Sequence, residues 1–455
     1  MKNLLYILFF CIPMGVSAQF NLYKDYPLDY SWQNVGDEGF SAGGVLCTSL
    51  AFSPSGQPYV AYVDSVNSWK STVMKFDGSN WVNVGNAGFS AGEVYYTSLA
   101  FSPSGQPYVA YNASPAAVMK FDGISWINVG DTGFSANEAD YESLAFSPSG
   151  EPYVAFKDWS NSKKATVMKF DNTSWVYVGS AGFSAGEADY TSLAFNQSGQ
   201  PYIAFKDYGN NAGATVMKFD GTDWVNVGNA GFSADKSWFT SLAFSPSDQP
   251  YVAFMDFAVS LKATVMKFDG NNWVAVGNSG FSAAEADWTS LAFSPSGQPC
   301  VAYVDYGNSM KTTVMKFDGT NWVNVGTTGF SAGATEFTSL AFSPSGKPCV
   351  AYLDGGNSDK ATVMKFDSVF AGIDEPKETG LSLYPNPATD KIVIETSGLL
   401  KESNLEIINI EGQELITRLI TEPKTQIDIS NLAGGVYFMR LINDRTVETG
   451  KIIKQ

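Results

Sequence analysis

A tryptophan followed by a short apolar run recurs at Trp32, Trp81, Trp126, Trp175, Trp224, Trp273 and Trp322, at intervals of 49, 45, 49, 49, 49 and 49 residues. A period of this length restricts the possible folds severely, because each copy is one supersecondary unit that must bury its apolar faces against its neighbours. Between tryptophans the text barely changes: WVNVG, GFSA, SLAFSPSGQPYVAYVD, a variable stretch, TVMKFDG, and the next tryptophan. Each copy holds four strand-forming segments. SLAF ends in SPSGQP, whose Ser, Pro and Gly suit a turn. PYVAY and TVMKF are rich in β-branched and aromatic residues, and Asp-Gly before the tryptophan is a hairpin signal. The strands are apolar almost continuously, as expected of strands covered on both faces. Helical periodicity is absent.

Four antiparallel strands in a repeat of about 40–50 residues are the signature of a β-propeller blade. The phase of the repeat adds a closure. The chain opens with an orphan tryptophan strand at 32–36, and the last copy ends after TVMKF at 362–366 without one. The N-terminal strand therefore completes the last blade and removes an exposed edge. The predicted fold is all-β. A seven-bladed β-propeller of four-stranded blades occupies residues 19–370. A linker by composition (AGIDEPKETG, 371–380) follows, then a small β-sandwich at 381–455. The repeats resemble those of secreted bacterial seven-bladed propellers, a set that includes lectins, adhesins and enzymes. That resemblance covers residues 32–370 and implies the fold rather than a function.

The two ends imply export. Lys2, the apolar stretch Leu4 to Phe10 and the small residues Val16-Ser17-Ala18 before Gln19 read as a signal peptide over residues 1–18. Pro13 and Gly15 interrupt the run before it reaches the roughly 20 apolar residues of a membrane span, and no later segment is apolar enough. At the other end, KIVIET and NLEIINI alternate as sandwich strands do. LYPNPATD (383–390), IINIEGQEL (407–415), IDISNLAGGVYFMRL (427–441) and the final GKIIKQ together resemble the A-type C-terminal sorting domain of type IX secretion substrates. The resemblance implies a sorting signal carried by Tyr384, Pro385, Asn386, Pro387, Gly435, Tyr437 and Lys451. It also implies the type IX machinery as a partner, and a product that crosses both membranes to the cell surface or the medium.

The composition excludes several chemistries. There is no histidine, and the first arginine is Arg418. Ser-His-Asp and Cys-His arrangements cannot form, and zinc lacks its commonest nitrogen ligand. The turn Asp318-Gly319-x-x-Trp322 is one residue short of the sialidase Asp-box, and the arginines that would clamp a sialic carboxylate are missing from the repeats. A net charge of -17 disfavours nucleic acid. Cys11 leaves with the signal, and Cys47, Cys300 and Cys349 read as free buried thiols. No cofactor is implied. Calcium has candidate loops such as Asp305-Tyr-Gly-Asn308, a single turn of oxygen donors and a weak signal. The recurring Lys75, Lys120, Lys169, Lys218, Lys267, Lys316 and Lys365 are expected to pack their stems between blades, with Asn83, Asn128, Asn226 and Asn324 as acceptors.

Variation is concentrated in two loops, before SLAF and after PYVAY, which a four-stranded blade places on one face of the disc. Loops on a rigid scaffold are where sites lie. Tyr96, Asp140, Tyr141, Asp189, Tyr190, Trp238, Asp287 and Trp288 are the candidate ligand-binding residues, with Trp69, Trp159, Tyr208, Phe257 and Tyr306 in the second loop. Pairs such as Glu138/Asp140, Glu187/Asp189 and Glu285/Asp287 could serve glycoside hydrolysis, but an active site is expected once, not in several blades. The reading is a non-catalytic binding protein for an extracellular glycan or surface protein. The alternatives are a polysaccharide-acting enzyme and a structural surface-layer component.

Overall fold

The computed structural model describes residues 29–369, 381–396, 403–409, 413–442 and 447–455; the expected signal peptide and linker lie outside them. The chain divides into two compact units, one spanning Asp29–Ser368 and the other holding the C-terminal strands.

The first unit is a ring of seven four-stranded sheets. Blade 1 runs from centre to rim as Val45–Phe52, Pro58–Asp64, Lys70–Phe76 and Trp81–Asn83. The inner strands of blades 2 to 7 are Thr97–Phe101, Ala139–Phe146, Ala188–Phe195, Ser237–Phe244, Ala286–Phe293 and Thr335–Phe342. Successive inner strands pack on one another around the axis. Blade 7 takes its rim strand from the other end of the sequence: Asp29–Asn34 lies beside Lys360–Val369, as the phase of the repeat predicts.

The repeated residues are those that join blades. Each rim tryptophan donates its indole N–H to a valine carbonyl of the preceding blade, from Trp81 to Val35 at 2.6 Å round to Trp32 onto Val325 at 2.7 Å. The phenylalanine of GFSA stacks on the same indole, with centroids 4.0 Å apart for Phe40–Trp81 and for Phe330–Trp32. The glycine of WVNVG must stay bare: Gly36 has φ +70°, and a Cβ there would lie 2.7 Å from the Phe76 ring. Nearer the axis, each SLAF serine accepts the leucine N–H of the next blade, as in Leu99 to Ser49 at 3.0 Å and Leu50 to Ser339 at 2.9 Å across the closure.

The lysine expectation needs a correction. Lys75 lies opposite Tyr59 and Val82, whereas Asn83 lies opposite Met74, so period-2 alternation sends Lys75 and Asn83 to opposite faces of the sheet. Four of the amines sit over cross-strand tyrosines, as Lys75 over Tyr59 at 5.9 Å and Lys169 over Tyr153 at 5.7 Å. Carboxylates reach two of them, Glu151 at Lys169 and Asp367 at Lys365. Cys300 and Cys349 occupy the tyrosine place opposite Lys316 and Lys365, and all three described cysteines are free and buried. The Asp305 loop is a cap: its carboxylate accepts from Gly307 N, Asn308 Nδ2 and Thr313 Oγ1.

The second unit has two antiparallel sheets. Leu381–Tyr384, Lys391–Thr396 and Lys424–Asp428 form one, and Glu414–Ile420, Ser403–Ile408, Gly435–Ile442 and Val447–Lys454 form the other. Ile392, Ile394, Leu405, Ile407, Met439 and Ile452 fill the core between them. Among the described residues, no helix is long and apolar enough to cross a membrane.

Candidate functional site on the loop face

Six of the seven inner strands open with a bulge, two residues standing opposite one, as 47 and 48 do opposite 62. The first bulged residue has a left-handed backbone, from φ 48° at Cys47 to φ 57° at Tyr141. Bulges re-aim side chains, and these turn theirs toward the axis. Tyr96, Tyr141, Tyr190, Phe239, Trp288 and Phe337 form an arc of rings whose neighbouring centroids lie between 4.2 and 4.9 Å apart. Cys47 occupies the seventh place. Blade 2 lacks the bulge; there Asn112 Oδ1 accepts from the Tyr96 N–H at 2.8 Å.

The next residue is threonine in six blades. Its hydroxyl donates to the carbonyl of the preceding blade's collar residue, as Thr289 to Phe239 at 2.6 Å and Thr97 to Cys47 at 2.9 Å. Blade 3 has Glu142 instead. It is 6% exposed, and neither carboxylate oxygen has a hydrogen-bond partner. Burial, and then the nearby Asp140, raise its pKa well above the ordinary range. Glu142, five of the collar rings (Tyr96, Tyr141, Tyr190, Phe239 and Trp288) and four of the threonines line an axial cavity of about 180 Å³.

Outside the collar the two variable loops meet within each blade. Trp159 donates to Asp140 at 2.8 Å, Tyr208 to Asp189 at 3.1 Å and Tyr306 to Asp287 at 3.1 Å. In blade 5 two rings replace the pair, with Trp238 and Phe257 centroids 5.2 Å apart. Each candidate carboxylate therefore has a partner on its own loop, although Asp287 Oδ1 is buried with none. Asp189 is also held by Lys157 Nζ at 2.7 Å, and Lys157 binds Glu187 as well.

A larger cleft of about 460 Å³ opens beside blades 4 and 5, lined by Lys206, Tyr208, Asn211, Lys236, Trp238 and Phe257 among others. Lys206 Nζ donates to the Tyr208 hydroxyl at 2.9 Å, lies 5.0 Å from the Trp238 ring centroid, and lies 3.9 Å from Asp189, whose carboxylate is already bonded to Lys157. Burial lowers the Lys206 pKa; Asp189 opposes this, while Lys236 and Lys157 add to it. The indole N–H of Trp238 is buried without an acceptor.

In the C-terminal unit, the segments that carry the sorting resemblance come together. Asn386 Nδ2 donates to the Lys451 carbonyl at 2.6 Å, and its Oδ1 accepts from Ile453 N at 2.8 Å. Ala388 and the last strand exchange two further backbone bonds. Tyr384 donates its hydroxyl to Glu395 and lies under Lys424. Tyr437 donates to the Ala433 carbonyl at 2.7 Å, and Gly435 stands opposite Lys454. Residues 382–455 match the model of the secretion system C-terminal sorting domain. The tail is a type IX sorting domain. Tyr384, Asn386 and Lys451 thus belong to one edge of that domain, where its first strand and its last strand end together. The sorting domain directs the chain to the cell surface or extracellular space.

The comparisons reach the first unit only through its fold. The extracellular domain of a putative one component system from B. thetaiotaomicron has 11% identity and a TM-score of 0.51, covering 91% of this chain and 58% of that one. YCF48 bound to D1 peptide has 11% identity and a TM-score of 0.50, over 76% and 98%. A protein of unknown function from Dyadobacter fermentans has 11% identity and a TM-score of 0.46, over 74% and 99%. No curated protein matches the chain.

Of the candidate residues, Tyr96, Tyr141, Tyr190 and Trp288 form the collar, Asp140, Asp189 and Asp287 the loop pairs, and Trp238 the cleft. Sequence reasoning missed Glu142 and Lys206. Glu142 carried a signal, since ESLAF stands where every other copy reads TSLAF. For Lys206 there was little, because Lys157 holds the same place in blade 3 and is neutralised there.

Proposed function

We propose that the exported propeller is a non-catalytic binding protein whose loop face captures an acidic saccharide in the cleft beside blades 4 and 5. The observation that carries this reading is a convergence of donors on one cleft. The Trp238 indole N–H has no acceptor, the Lys206 amine gives one proton to the Tyr208 hydroxyl and shares its nearest carboxylate with a closer lysine, and Lys236 is exposed at the same cleft. Buried donors want acceptors, and an ammonium placed among rings favours an anion on a flat, partly apolar ligand. A sugar ring with a carboxylate or sulfate meets each demand, and the cleft lies in the size range of small-ligand sites. The engagement of Asp140 and Asp189 by their own loops and by Lys157 favours capture over turnover.

The test is a glycan array probed with the full chain, with Lys206→Met and Trp238→Ala alongside and product formation assayed on the same panel. Capture of uronic or sulfated glycans, lost in both variants while thermal unfolding stays near that of the parent, is expected. Capture of neutral glycans alone, retention in both variants, or cleavage of the captured glycan would each overturn the reading.

A further inference from the structure

The axial cavity has the opposite chemistry from the cleft. Six threonine hydroxyls commit their only proton to carbonyls of the neighbouring blade: Thr48, Thr97, Thr191, Thr240, Thr289 and Thr338. Four of them, Thr191, Thr240, Thr289 and Thr338, line the cavity, and their hydroxyl oxygens are left with lone pairs alone to offer it. The seventh place adds a carboxylate with two unpartnered oxygens. The deep wall is therefore built of acceptors. The collar around it is aromatic and only partly buried.

We infer that the axial cavity is a binding site for a slender aliphatic primary amine, its ammonium group held by Glu142 and the threonine oxygens and its methylenes sleeved by the aromatic collar. A buried carboxylate without a partner is costly, and no protein group is hydrogen-bonded to either oxygen of this one. A threonine, used in every other blade, would have completed the ring of interblade bonds, so folding alone does not call for a glutamate. The raised carboxyl pKa is what an acid shows while its countercharge is missing, and a bound ammonium would relieve it. A primary ammonium brings three donors to an acceptor wall. A bare metal ion would leave the collar unused, and an anion would face the lone pairs of Glu142 and the threonines at the deep wall.

The site is separate from the saccharide cleft, and its test does not depend on that cleft. The full chain is titrated calorimetrically with n-butylammonium chloride, with 1-butanol as the neutral control and potassium chloride as the metal-ion control. Glu142→Thr restores the residue found in six blades and is expected to fold; Glu142→Gln keeps the shape and removes the charge. The expected result is n-butylammonium binding that weakens roughly 10- to 100-fold in both variants, the range for a lost hydrogen bond to a charged group, with no detectable 1-butanol binding. Absence of amine binding to the parent, equal binding by Glu142→Thr, 1-butanol binding as tight as the amine, or equal competition by potassium would each overturn the inference.

Discussion

Trp32 offers the sharpest test of how the ring is closed. Its indole donates to the Val325 carbonyl at 2.7 Å and stacks on Phe330 at 4.0 Å, so one side chain near the N-terminus fastens the last blade to blade 6. Trp32→Phe keeps an aromatic ring in the stack and deletes the N–H. Stripping a buried carbonyl of its donor costs about 1–3 kcal/mol, and the smaller ring adds about 1 kcal/mol through lost contact. The sum is about 2–4 kcal/mol. Trp224→Phe is the internal standard, because Trp224 makes the same contacts with Val178 and Phe183 within the continuous part of the chain. All the tryptophans lie between Trp32 and Trp322, so fluorescence-detected urea unfolding reports the propeller without the sorting domain. Equal losses in the two variants are expected. A costly Trp224→Phe beside a silent Trp32→Phe would show that the N-terminal strand does not hold the ring, and losses under about 0.5 kcal/mol in both would refute the interblade role of the indole bond.

Three further outcomes follow from the same structure. Deleting residues 381–455 removes the sorting domain, so the truncated chain should remain in the periplasm of its host; fractionation with normal extracellular yield would contradict this. Deleting residues 19–37 uncovers the edge of Lys360–Val369 in blade 7, and association visible by light scattering is expected; a monomer of unchanged stability would refute it. Burial pushes the Cys300 and Cys349 thiols from 9.0 up to about 12. The folded chain then holds protons that the unfolded chain releases, so these thiols contribute stability that is present below pH 9 and is lost between about pH 9 and 12. The loss is up to about 1.4 kcal/mol per pH unit for each thiol. A double Cys300→Ala, Cys349→Ala variant should lose this part of the alkaline slope in urea unfolding; an unchanged slope would refute the assignment.

The ring, its blade count and the N-terminal closure were legible because every copy must solve the same packing problem. Trp81, Phe40, Gly36 and Ser49 recur because each joins one blade to the next, and a contact repeated round a ring leaves a repeated residue. The sorting domain was legible for a different reason: LYPNPATD and the final GKIIKQ, distant in sequence, had to meet as Asn386 meets Lys451 and Ile453. The lysine partners were misjudged because Asn83 and Lys75 are near in sequence yet fall on opposite faces, a matter of register alone.

The amino-acid sequence by itself determined the propeller, its exported destination and the face where variation gathers, since periodicity and local turn chemistry act over short distances. Only the tertiary structure decided what the varying residues do. It joined Asp140 to Trp159 and Asp287 to Tyr306, left the Trp238 indole without an acceptor, and placed Glu142 alone among threonine oxygens on the axis. The physical reason is that hydrogen-bond satisfaction depends on which atoms come within about 3 Å, and across blades that is fixed by ring closure rather than by the order of residues along the chain.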